Sequence, residues 1–409
     1  MEGLLHGSVR LPLSKSERNR ALMITAYGQW SVGRRPGADS EAHDTVLLQA
    51  LLQKIFASDG PSPVQVDCED AGAVARFLLP LLAGREGTWL VTGTERLCQR
   101  PMQPLVEALR QLGADIVCLG KEGLLPLRVQ GRPLRGGALT LDASQSSQFA
   151  SALLLAAPTW AAGLTLRLEG PVASRPYLDM TLSMMRQAGA EVLCHGPIIE
   201  VAPKPYREVP FEVGADWSAA SYWYELLALS EGGSLTLEGL QLDTLQGDAV
   251  VASWYERFGV QTRFEPQGAV LTQVAMESKP LQFDFSDTPD LFPAVCVTCV
   301  ALHLPAVFTG TRNLSLKESD RVHALMSELS KLYTFINIIE DDKIIISVSR
   351  LFNIERNDDV VLIDTHHDHR IAMALAPLKI RFPRIEISHP EVVEKSYPNY
   401  WGDLEIVMG

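Results

Sequence analysis

Helix starts of one kind recur along this chain at intervals of roughly seventy residues. In each, a small, hydroxyl or acidic residue precedes an apolar pattern with helical spacing, which is typical of a helix N-terminus. The six sites are Ser14-Lys15-Ser16, Asp70-Ala71-Gly72, Ser146-Ser147-Gln148, Asp216-Trp217-Ser218, Thr288-Pro289-Asp290 and Asp368-His369-Arg370. Six such sites in 409 residues predict six copies of one α/β unit.

A second type of helix supports this count, because each example ends at a glycine, the residue best suited to the position after a helix. A β-prone run follows each glycine. The segments are Leu105 to Leu112 with Gly113, Thr181 to Ala188 with Gly189, and Val250 to Phe258 with Gly259. Any α/β protein can alternate helix, glycine and strand, so the prediction of a repeat depends on the polar helix starts.

The composition is that of an ordinary globular protein, with 46% hydrophobic and 21% charged residues, and the length suits about two domains. The net charge of −13 argues against a nucleic-acid surface and against membrane headgroups. No secretory signal pattern begins the chain, and the apolar stretch 291–308 contains two prolines and a histidine. We therefore expect a cytoplasmic protein in which that stretch forms a buried helix and strand.

Redox and metal chemistry find little support in the sequence. Six scattered cysteines predict reduced thiols, and the Cys296/Cys299 pair lies in an apolar run that favours packing. The histidines in residues 366–369 suggest a metal site, but no distant pair with recognisable spacing completes the ligand shell. Glycine-rich dinucleotide and phosphate-loop motifs are missing as well. We expect no metal and no organic cofactor.

Cationic side chains lie beside the polar helix starts of this acidic chain. Each alone can be a solvated surface charge, but as a set they suit a ligand with more than one phosphate or carboxylate group. Lys15, Arg20, Arg76, Arg100, Arg175, Lys317, Arg321, Arg370 and Lys395 form this set. Glu318 stands between cations, which fits either an acid–base group or a charged helical turn, and Asp290 fits either a helix cap or a substrate-facing carboxylate.

Ten segments between Leu11 and Trp401 carry a family resemblance. They are, in order, LSKSERNRAL, EDAGAVARFLLPLLA, TGTERLCQRPMQPLVEALRQLGA, SQSSQFASALLLAAP, SRPYLDMTL, DWSAASYW, SDTPDLFPA, LKESDRVHALMSEL, DTHHDHRIAMA and EKSYPNYW. Together they resemble the EPSP synthase (3-phosphoshikimate 1-carboxyvinyltransferase) family of enolpyruvyl transferases. The family joins phosphoenolpyruvate to the 5-hydroxyl of shikimate 3-phosphate, which gives 5-enolpyruvylshikimate 3-phosphate and phosphate on the way to chorismate and the aromatic amino acids.

The resemblance implies an α/β fold, a two-domain inside-out α/β barrel with three βαβαββ units in each domain. A turn at Ser230-Glu231-Gly232-Gly233 suggests where the domains meet. We expect a discontinuous domain of residues 1–13 and 229–409 on the phosphoenolpyruvate side. An inserted domain, residues 14–228, would lie on the shikimate 3-phosphate side of an interdomain cleft. We further expect a monomer that binds these two small molecules.

Position by position, the resemblance implies two sets of binding residues. Shikimate 3-phosphate would be held by Ser16, Arg20, Ser146, Ser147, Ser174, Tyr177, Asp290, Asn313 and Lys317. Phosphoenolpyruvate would be held by Lys15, Gly72, Arg100, Gln148, Arg321, His369, Arg370 and Lys395. Lys15 and Glu318 would form the acid–base pair at the enol methylene, and Asp290 would act on the sugar hydroxyl.

The chain departs from the family pattern near the expected anion sites. Leu13 replaces a usual glycine, Asp70 a usual asparagine, and Ala73 a frequent threonine. Two alternatives remain beside the main interpretation: a transferase acting on UDP-N-acetylglucosamine, and a non-catalytic paralogue that binds phosphorylated metabolites. The Ser146-Ser147-Gln148 and Ser174 to Tyr177 motifs favour shikimate 3-phosphate over the UDP-sugar, and the presence of Lys15, Glu318 and Asp290 favours an enzyme.

Overall fold

The computed structural model describes residues 4–28, 41–58, 62–276, 280–334, 337–340, 343–346, 349–351 and 360–409. The chain divides into two compact units. Unit 1 comprises Met1–Ser14, Asp39–His43 and Gly214–Gly409, and unit 2 comprises Lys15–Ala38 and Asp44–Val213. Unit 2 is therefore inserted into the sequence of unit 1.

The secondary structure alternates between helices and strands along both units. The helices are α1 (Lys15–Tyr27), α2 (His43–Ala57), α3 (Gly72–Gly84), α4 (Glu95–Gln99), α5 (Gln103–Gln111), α6 (Ser147–Ala156), α7 (Arg175–Gln187), α8 (Trp217–Leu229), α9 (Val251–Tyr255), α10 (Phe292–Ala301), α11 (Arg321–Leu329), α12 (His369–Leu375) and α13 (Tyr400–Met408). The strands are β1 (Leu5–Arg10), β2 (Val64–Asp67), β3 (Gly87–Thr92), β4 (Asp115–Cys118), β5 (Leu127–Gly131), β6 (Gly137–Asp142), β7 (Leu164–Glu169), β8 (Val192–His195), β9 (Ile198–Val201), β10 (Gly233–Glu238), β11 (Val260–Glu265), β12 (Gly268–Gln273), β13 (Leu281–Asp284), β14 (Ala306–Thr309), β15 (Tyr333–Thr334), β16 (Asn337–Glu340), β17 (Lys343–Ile346), β18 (Ser349–Leu351), β19 (Val361–Ile363) and β20 (Ile385–Ile387).

Four-stranded sheets of one topology repeat in the two units. Unit 2 has the orders β2-β3-β5-β4 and β6-β7-β9-β8, and unit 1 has β1-β10-β12-β11 and β13-β14-β17-β16. In each, the first two strands pair in parallel and the remaining pairs are antiparallel. This is the βαβαββ unit, and the described residues contain four full copies. A reduced fifth copy is formed by β19, α12 and β20, whose strands pair in parallel.

All six expected helix starts are confirmed. Five of them begin α1, α3, α6, α8 and α12, and Pro289–Leu291 forms a 3-10 turn that leads into α10. The glycine stops are confirmed too, since Gly113, Gly189 and Gly259 have φ values of 94°, 84° and 77°. One helix start differs in detail from the prediction. The N-cap of α3 is Ala71 rather than Asp70, and the alanine side chain cannot accept a hydrogen bond from the helix.

The boundary between the units lies earlier in the chain than the expected position at residue 228. The division falls after Val213, because α8 belongs entirely to unit 1. Every residue of α8 is buried, and the helix packs against β10, β12 and α10. The glycine turn that suggested a boundary is the short connection from α8 to β10 within unit 1.

The apolar stretch 291–308 becomes the buried helix α10 and strand β14, as expected. Both Cys296 and Cys299 are buried there, which confirms their packing role. In the part of the chain that the structure describes, no helix combines the length and the apolarity needed to cross a bilayer.

Glu225 is an acid in the middle of this apolar core. It lies on α8 at 0% exposure, and neither carboxyl oxygen has a hydrogen-bond partner among the described residues. The nearby hydroxyls bond elsewhere: Tyr255 pairs with Thr298 at 2.8 Å, and Tyr400 donates to the Met373 carbonyl oxygen at 2.8 Å. Burial raises the pKa of Glu225 well above its ordinary value, because the interior of the protein favours the neutral carboxyl over the carboxylate.

We expect Glu225→Gln to remove a pH-dependent loss of stability. In the unfolded chain Glu225 ionises above about pH 4.3, whereas in the fold it stays protonated to higher pH. The free energy of unfolding of the wild type therefore falls, by up to about 1.4 kcal/mol for each pH unit, until the raised pKa is passed. Urea unfolding should show similar stabilities at pH 5 and a more stable variant at pH 8.

The matched control for this measurement is Glu231→Gln, which changes an exposed glutamate just after α8. Its unfolding curve should follow the wild type at both pH values. A Glu225→Gln variant whose stability difference from the wild type is the same at pH 5 and pH 8 would contradict a neutral buried carboxyl.

Candidate active site

Arg321 is the centre of an ion network in unit 1. Its side chain is 1% exposed at the start of α11, and each guanidinium nitrogen bonds a different carboxylate. Nε donates to Asp368 Oδ2 at 2.9 Å, Nη1 to Asp290 Oδ1 at 2.8 Å and Nη2 to Glu318 Oε2 at 3.1 Å. The attraction of these three carboxylates outweighs burial and raises the pKa of Arg321. The network therefore fixes the three acids around one permanent cation.

Asp368 joins two helix starts within this network. Its Oδ1 accepts from the backbone N–H of Arg370 at 2.9 Å, which caps α12. Its Oδ2 accepts from Ser319 Oγ at 3.0 Å and from Arg321. His369, which is also buried, has Nδ1 3.5 Å from Asp368 Oδ1. A single fully buried carboxylate thus sets the positions of α11 and α12.

Asp290 bridges the two arginines. Arg370 Nη2 donates to Asp290 Oδ2 at 2.7 Å, while Asp290 Oδ1 accepts from Arg321. Partial burial alone would raise the pKa of Asp290, but the charges of Arg370, Lys317 and Arg321 bring it well below its usual range. Without a substrate, Asp290 is accordingly a stable anion and a weak base.

Lys395 and Lys317 complete the cations of unit 1. Lys395 ends the 3-10 turn Pro390–Lys395, against which α12 packs, and it is buried. Asn313 and Lys317 lie in the connection between β14 and α11. Asn313 belongs to the 3-10 turn Arg312–Leu316, and Lys317 directly follows it. The structure thus brings the predicted residues Asp290, Glu318, Arg321, His369 and Arg370 together, with Lys317 near enough to act on Asp290.

In unit 2, Lys15 begins α1 and forms a shielded ion pair. Its Nζ lies 3.1 Å from Asp44 Oδ2, and the two side chains are 14% and 4% exposed. Asp44 stands in the first turn of α2, where a negative charge is favoured by the helix dipole. Sequence reasoning did not single out Asp44, because a charged residue in a first helical turn is usually exposed.

Arg100 covers the start of α3. A Cβ atom added at Gly72 would lie 2.7 Å from Arg100 Nη1 and 2.9 Å from Cζ, closer than real contacts allow. Gly72 is the first residue of α3, whose cap Ala71 supplies no side-chain acceptor. The helix N-terminus and the guanidinium therefore present donors and positive charge at one place, which suits an anion. A larger residue at this position would have to displace the end of the Arg100 side chain.

The side chain of Gln148 is held by Arg76, a residue that the sequence analysis included only in the set of cations. Arg76 Nη1 donates to Gln148 Oε1 at 2.6 Å, and Nη2 donates to the Pro101 carbonyl oxygen at 3.2 Å. Arg76 also lies over the Phe149 ring, with Cζ 5.0 Å from the centroid. It thereby ties the start of α6 to the segment that carries Arg100. In the sequence, the feature that could have identified Arg76 is its position inside the otherwise apolar pattern of α3.

The remaining predicted residues of unit 2 lie at the starts of α1, α6 and α7. Arg20 Nε donates to Thr181 Oγ1 at 2.7 Å, and its two Nη atoms donate to the carbonyl oxygens of Ser16 and Tyr177 at 2.9 Å and 3.0 Å. Burial lowers the pKa of Arg20 to about 10. Ser146 caps α6 and Ser147 is buried next to it. Ser174 caps α7 in a left-handed conformation, with φ of 53°.

Clusters of three or more histidine, cysteine, aspartate or glutamate side chains arranged to hold a metal ion were not found within the described ranges. His367 and His389 stack instead, with ring centroids 4.7 Å apart. His366 Nε2 lies 3.1 Å from Glu328 Oε1. The histidines near residue 366 thus make contacts typical of structural side chains.

Comparison with known proteins identifies the family of this chain. The family model of EPSP synthase (3-phosphoshikimate 1-carboxyvinyltransferase) matches residues 37–404. A 3-phosphoshikimate 1-carboxyvinyltransferase of Bacteroides fragilis is 40% identical over 98% of this chain and 95% of its own length. One from Syntrophobacter fumaroxidans is 37% identical over 98% and 97%. The solved EPSP synthase of Acinetobacter baumannii shares the fold, with a TM-score of 0.73 at 22% identity over 99% of this chain and 96% of that one. The chain therefore belongs to the EPSP synthase family.

Proposed function

We propose that this protein transfers the enolpyruvyl group of phosphoenolpyruvate to the 5-hydroxyl of shikimate 3-phosphate and releases phosphate. The proposal rests on one observation above the others: the family match runs through the residues of the Arg321 network and through the Gly72–Arg100 site. The Gly72–Arg100 site concentrates positive charge and N–H donors, and Arg370, Lys317 and Lys395 add cations near the acids of the Arg321 network. Such groups suit two substrates that each carry a phosphate and a carboxylate.

Phosphoenolpyruvate would be bound by cations held in fixed positions. The cations are Lys15 and Arg100 in unit 2 and Arg321, Arg370 and Lys395 in unit 1, beside His369, and the neutral amide of Gln148 adds a further donor. Fixed donors stabilise charge that develops in the transition state without having to reorganise first. The support for these roles is that ion pairs and helix ends hold most of these side chains in place.

Shikimate 3-phosphate would be bound by hydroxyl and cationic groups at helix starts. Ser16, Ser146, Ser147, Ser174 and Tyr177 lie at the starts of α1, α6 and α7 of unit 2, with Arg20 beneath them. Asn313 and Lys317 come from unit 1. Backbone N–H groups at such helix ends add further donors for a phosphate. We assign the residues of both units to one pair of substrates.

The chemistry needs one proton delivered to the enol methylene and one removed from the sugar hydroxyl. Lys15 and Glu318 would serve the methylene. As its carbon gains the proton, the hydroxyl oxygen bonds to the neighbouring carbon and gives its proton to Asp290. The tetrahedral adduct then loses phosphate and a proton from the former methylene, which restores the double bond. General acid–base catalysis of this kind commonly contributes factors of about 10² to 10⁴.

Substrate binding itself would turn Asp290 into a better base. In the absence of substrate, both of its oxygens accept hydrogen bonds from arginines. When an anionic substrate binds to Arg370, it shares that positive charge and weakens its hold on Asp290. The proton affinity of the carboxylate rises as a result. Asp290 would therefore gain basicity when phosphoenolpyruvate is bound.

We expect Lys15→Met and Glu318→Gln to lower turnover by at least about a hundredfold, because each removes a proton-transfer group. Purified protein is mixed with phosphoenolpyruvate and shikimate 3-phosphate, and released phosphate is measured. A parallel reaction with UDP-N-acetylglucosamine tests the other transferase. Calorimetry should show that both variants still bind shikimate 3-phosphate.

The controls are Lys54→Met in unit 2 and Glu405→Gln in unit 1, both at exposed positions, and they should keep wild-type turnover. Wild-type protein that releases no phosphate with shikimate 3-phosphate would contradict the proposed function and favour a binding paralogue. Variants that turn over normally but no longer bind would contradict the assigned roles.

Gly72→Ala should raise the KM for phosphoenolpyruvate by about tenfold, because the new methyl group would displace the Arg100 guanidinium from the start of α3. The KM for shikimate 3-phosphate should change little. Gly84→Ala is the matched control, since a methyl group at this other end of α3 meets nothing within 4 Å. Steady-state kinetics that vary each substrate in turn check both variants. Equal KM values for Gly72→Ala and the wild type would show that Arg100 does not bind this substrate.

The proposal also covers the cellular location and the oligomeric state. We take the protein to act in the cytoplasm and as a monomer, with phosphoenolpyruvate and shikimate 3-phosphate as its partners. Light scattering on the eluate of a sizing column measures the oligomeric state directly.

A further inference from the structure

Asp248 is a buried acid close to the Arg321 network, and no sequence pattern selects it. It lies in the 3-10 turn Gly247–Val250 of unit 1 and is 2% exposed. Ser218 Oγ donates a hydrogen bond to Asp248 Oδ2, while Oδ1 has no partner in the described part of the chain. Burying an ionised carboxylate with so few donors is unfavourable. The burial of Asp248 with so few donors therefore needs a functional explanation.

One face of α8 makes hydrogen bonds with both Asp248 and Arg370. Ser218 and Tyr222 are one helical turn apart, so their side chains are neighbours on that face. Ser218 bonds Asp248, and Tyr222 Oη accepts from Arg370 Nη1 at 3.4 Å. The helix also packs against the turn Pro289–Leu291, which carries Asp290, and against α12, which carries Arg370.

The turn that carries Asp248 is anchored to the start of this helix. The backbone N–H of Trp217 donates to Gln246 Oε1 at 2.8 Å, and Gln246 Nε2 donates to the Ala215 carbonyl oxygen at 2.9 Å. These bonds leave little freedom for Asp248 to turn toward solvent. Its charge, when present, is therefore confined to the neighbourhood of Arg370.

The groups that act on Asp248 come from each neighbouring segment. Burial raises the pKa of Asp248 to about 7, and the charges of Asp290 and Asp216 act in the same direction. The hydrogen bond from Ser218 and the charge of Arg370 oppose this shift. Asp248 and Asp290 are thus two acids beside one arginine, and Asp290 holds the negative charge more strongly.

We propose that Asp248 is a positioning residue for the reaction: in its protonated form it leaves the charge of Arg370 to the anionic substrate, and in its carboxylate form it competes with that substrate. The inference rests on the proposed function, in which Arg370 binds phosphoenolpyruvate. Asp248 touches no reacting atom in this scheme. Its ionisation alters binding, whereas the chemical steps keep their rates.

The test compares the wild type with Asp248→Asn, which keeps the shape of the side chain and stays neutral at every pH. The KM for phosphoenolpyruvate and kcat are measured from about pH 6 to about pH 8.5. One added negative charge near Arg370 should raise the wild-type KM about tenfold relative to the variant at the alkaline end. The two proteins should have similar KM values at the acid end and similar kcat throughout. Changes in the ionisation of the substrates affect both proteins equally and cancel in the ratio.

Asp243→Asn is the matched control, because Asp243 is an exposed acid earlier in the same segment. Its KM profile should follow the wild type. Ser218→Ala gives a second, independent test that leaves Asp248 in place. Loss of the Ser218 hydrogen bond removes a group that favours the carboxylate, so the rise in KM should move to higher pH. A residue with a purely structural role would not move this pH profile.

Failure of the inference is distinct from failure of the proposed function. If the wild type releases no phosphate, the function itself is wrong. If the wild type is active but Asp248→Asn retains the full alkaline rise in KM, or if kcat changes in place of KM, the role given to Asp248 is overturned. A Ser218→Ala profile that coincides with that of the wild type would also overturn it.

Discussion

The buried guanidinium of Arg321 is the interaction on which the candidate site depends. Three acids that repel one another, Asp290, Glu318 and Asp368, can share one small volume because each bonds a different nitrogen of this side chain. Loss of one partner in such a buried group leaves a charge uncompensated, which commonly costs about 3–5 kcal/mol. The network therefore links the position of the proposed bases to the folding of unit 1. A lysine could not replace Arg321, because it lacks the planar fork that reaches three acceptors.

The network also explains why the acids in this unit have different tasks. Asp368 has no exposed surface, and its two oxygens accept hydrogen bonds at the starts of α11 and α12, so its role is structural. Asp290 and Glu318 keep side-chain exposures of 18% and 14%, which leaves them accessible to a substrate. Asp248 and Glu225 are buried with one donor and none, respectively, among the residues that the structure describes, and both have raised pKa values. Burial and the number of donors separate these residues, although all carry the same functional group.

Much of this organisation could be predicted from the sequence, because it depends on local rules. Polar caps located the starts of α1, α3, α6, α8 and α12, and glycines located the ends of α5 and α7, since both signals act within a few residues. The boundary between units was misplaced for a related reason. A glycine turn looks the same whether it joins two domains or joins α8 to β10 inside one. Only the burial of α8 on all sides distinguishes the two, and burial is a property of the whole fold.

The residues that the sequence did not select share a different physical cause. Asp44 and Asp248 act through partners 29 and 30 positions away in the chain, so no local pattern marks them. Arg76 was selected only as one of the cations, and its contact with Gln148, 72 positions away, was not predicted. What reveals them is the cost of burying charge: a polar group at low exposure must be paired, neutralised or held for a purpose. Asp44 is paired with Lys15, and Arg76 donates to Gln148 Oε1 and to the Pro101 carbonyl oxygen. Within the described ranges, Asp248 has a single hydrogen-bond donor and one oxygen without a partner, so of the three it is the group whose protonation can respond to what binds beside it.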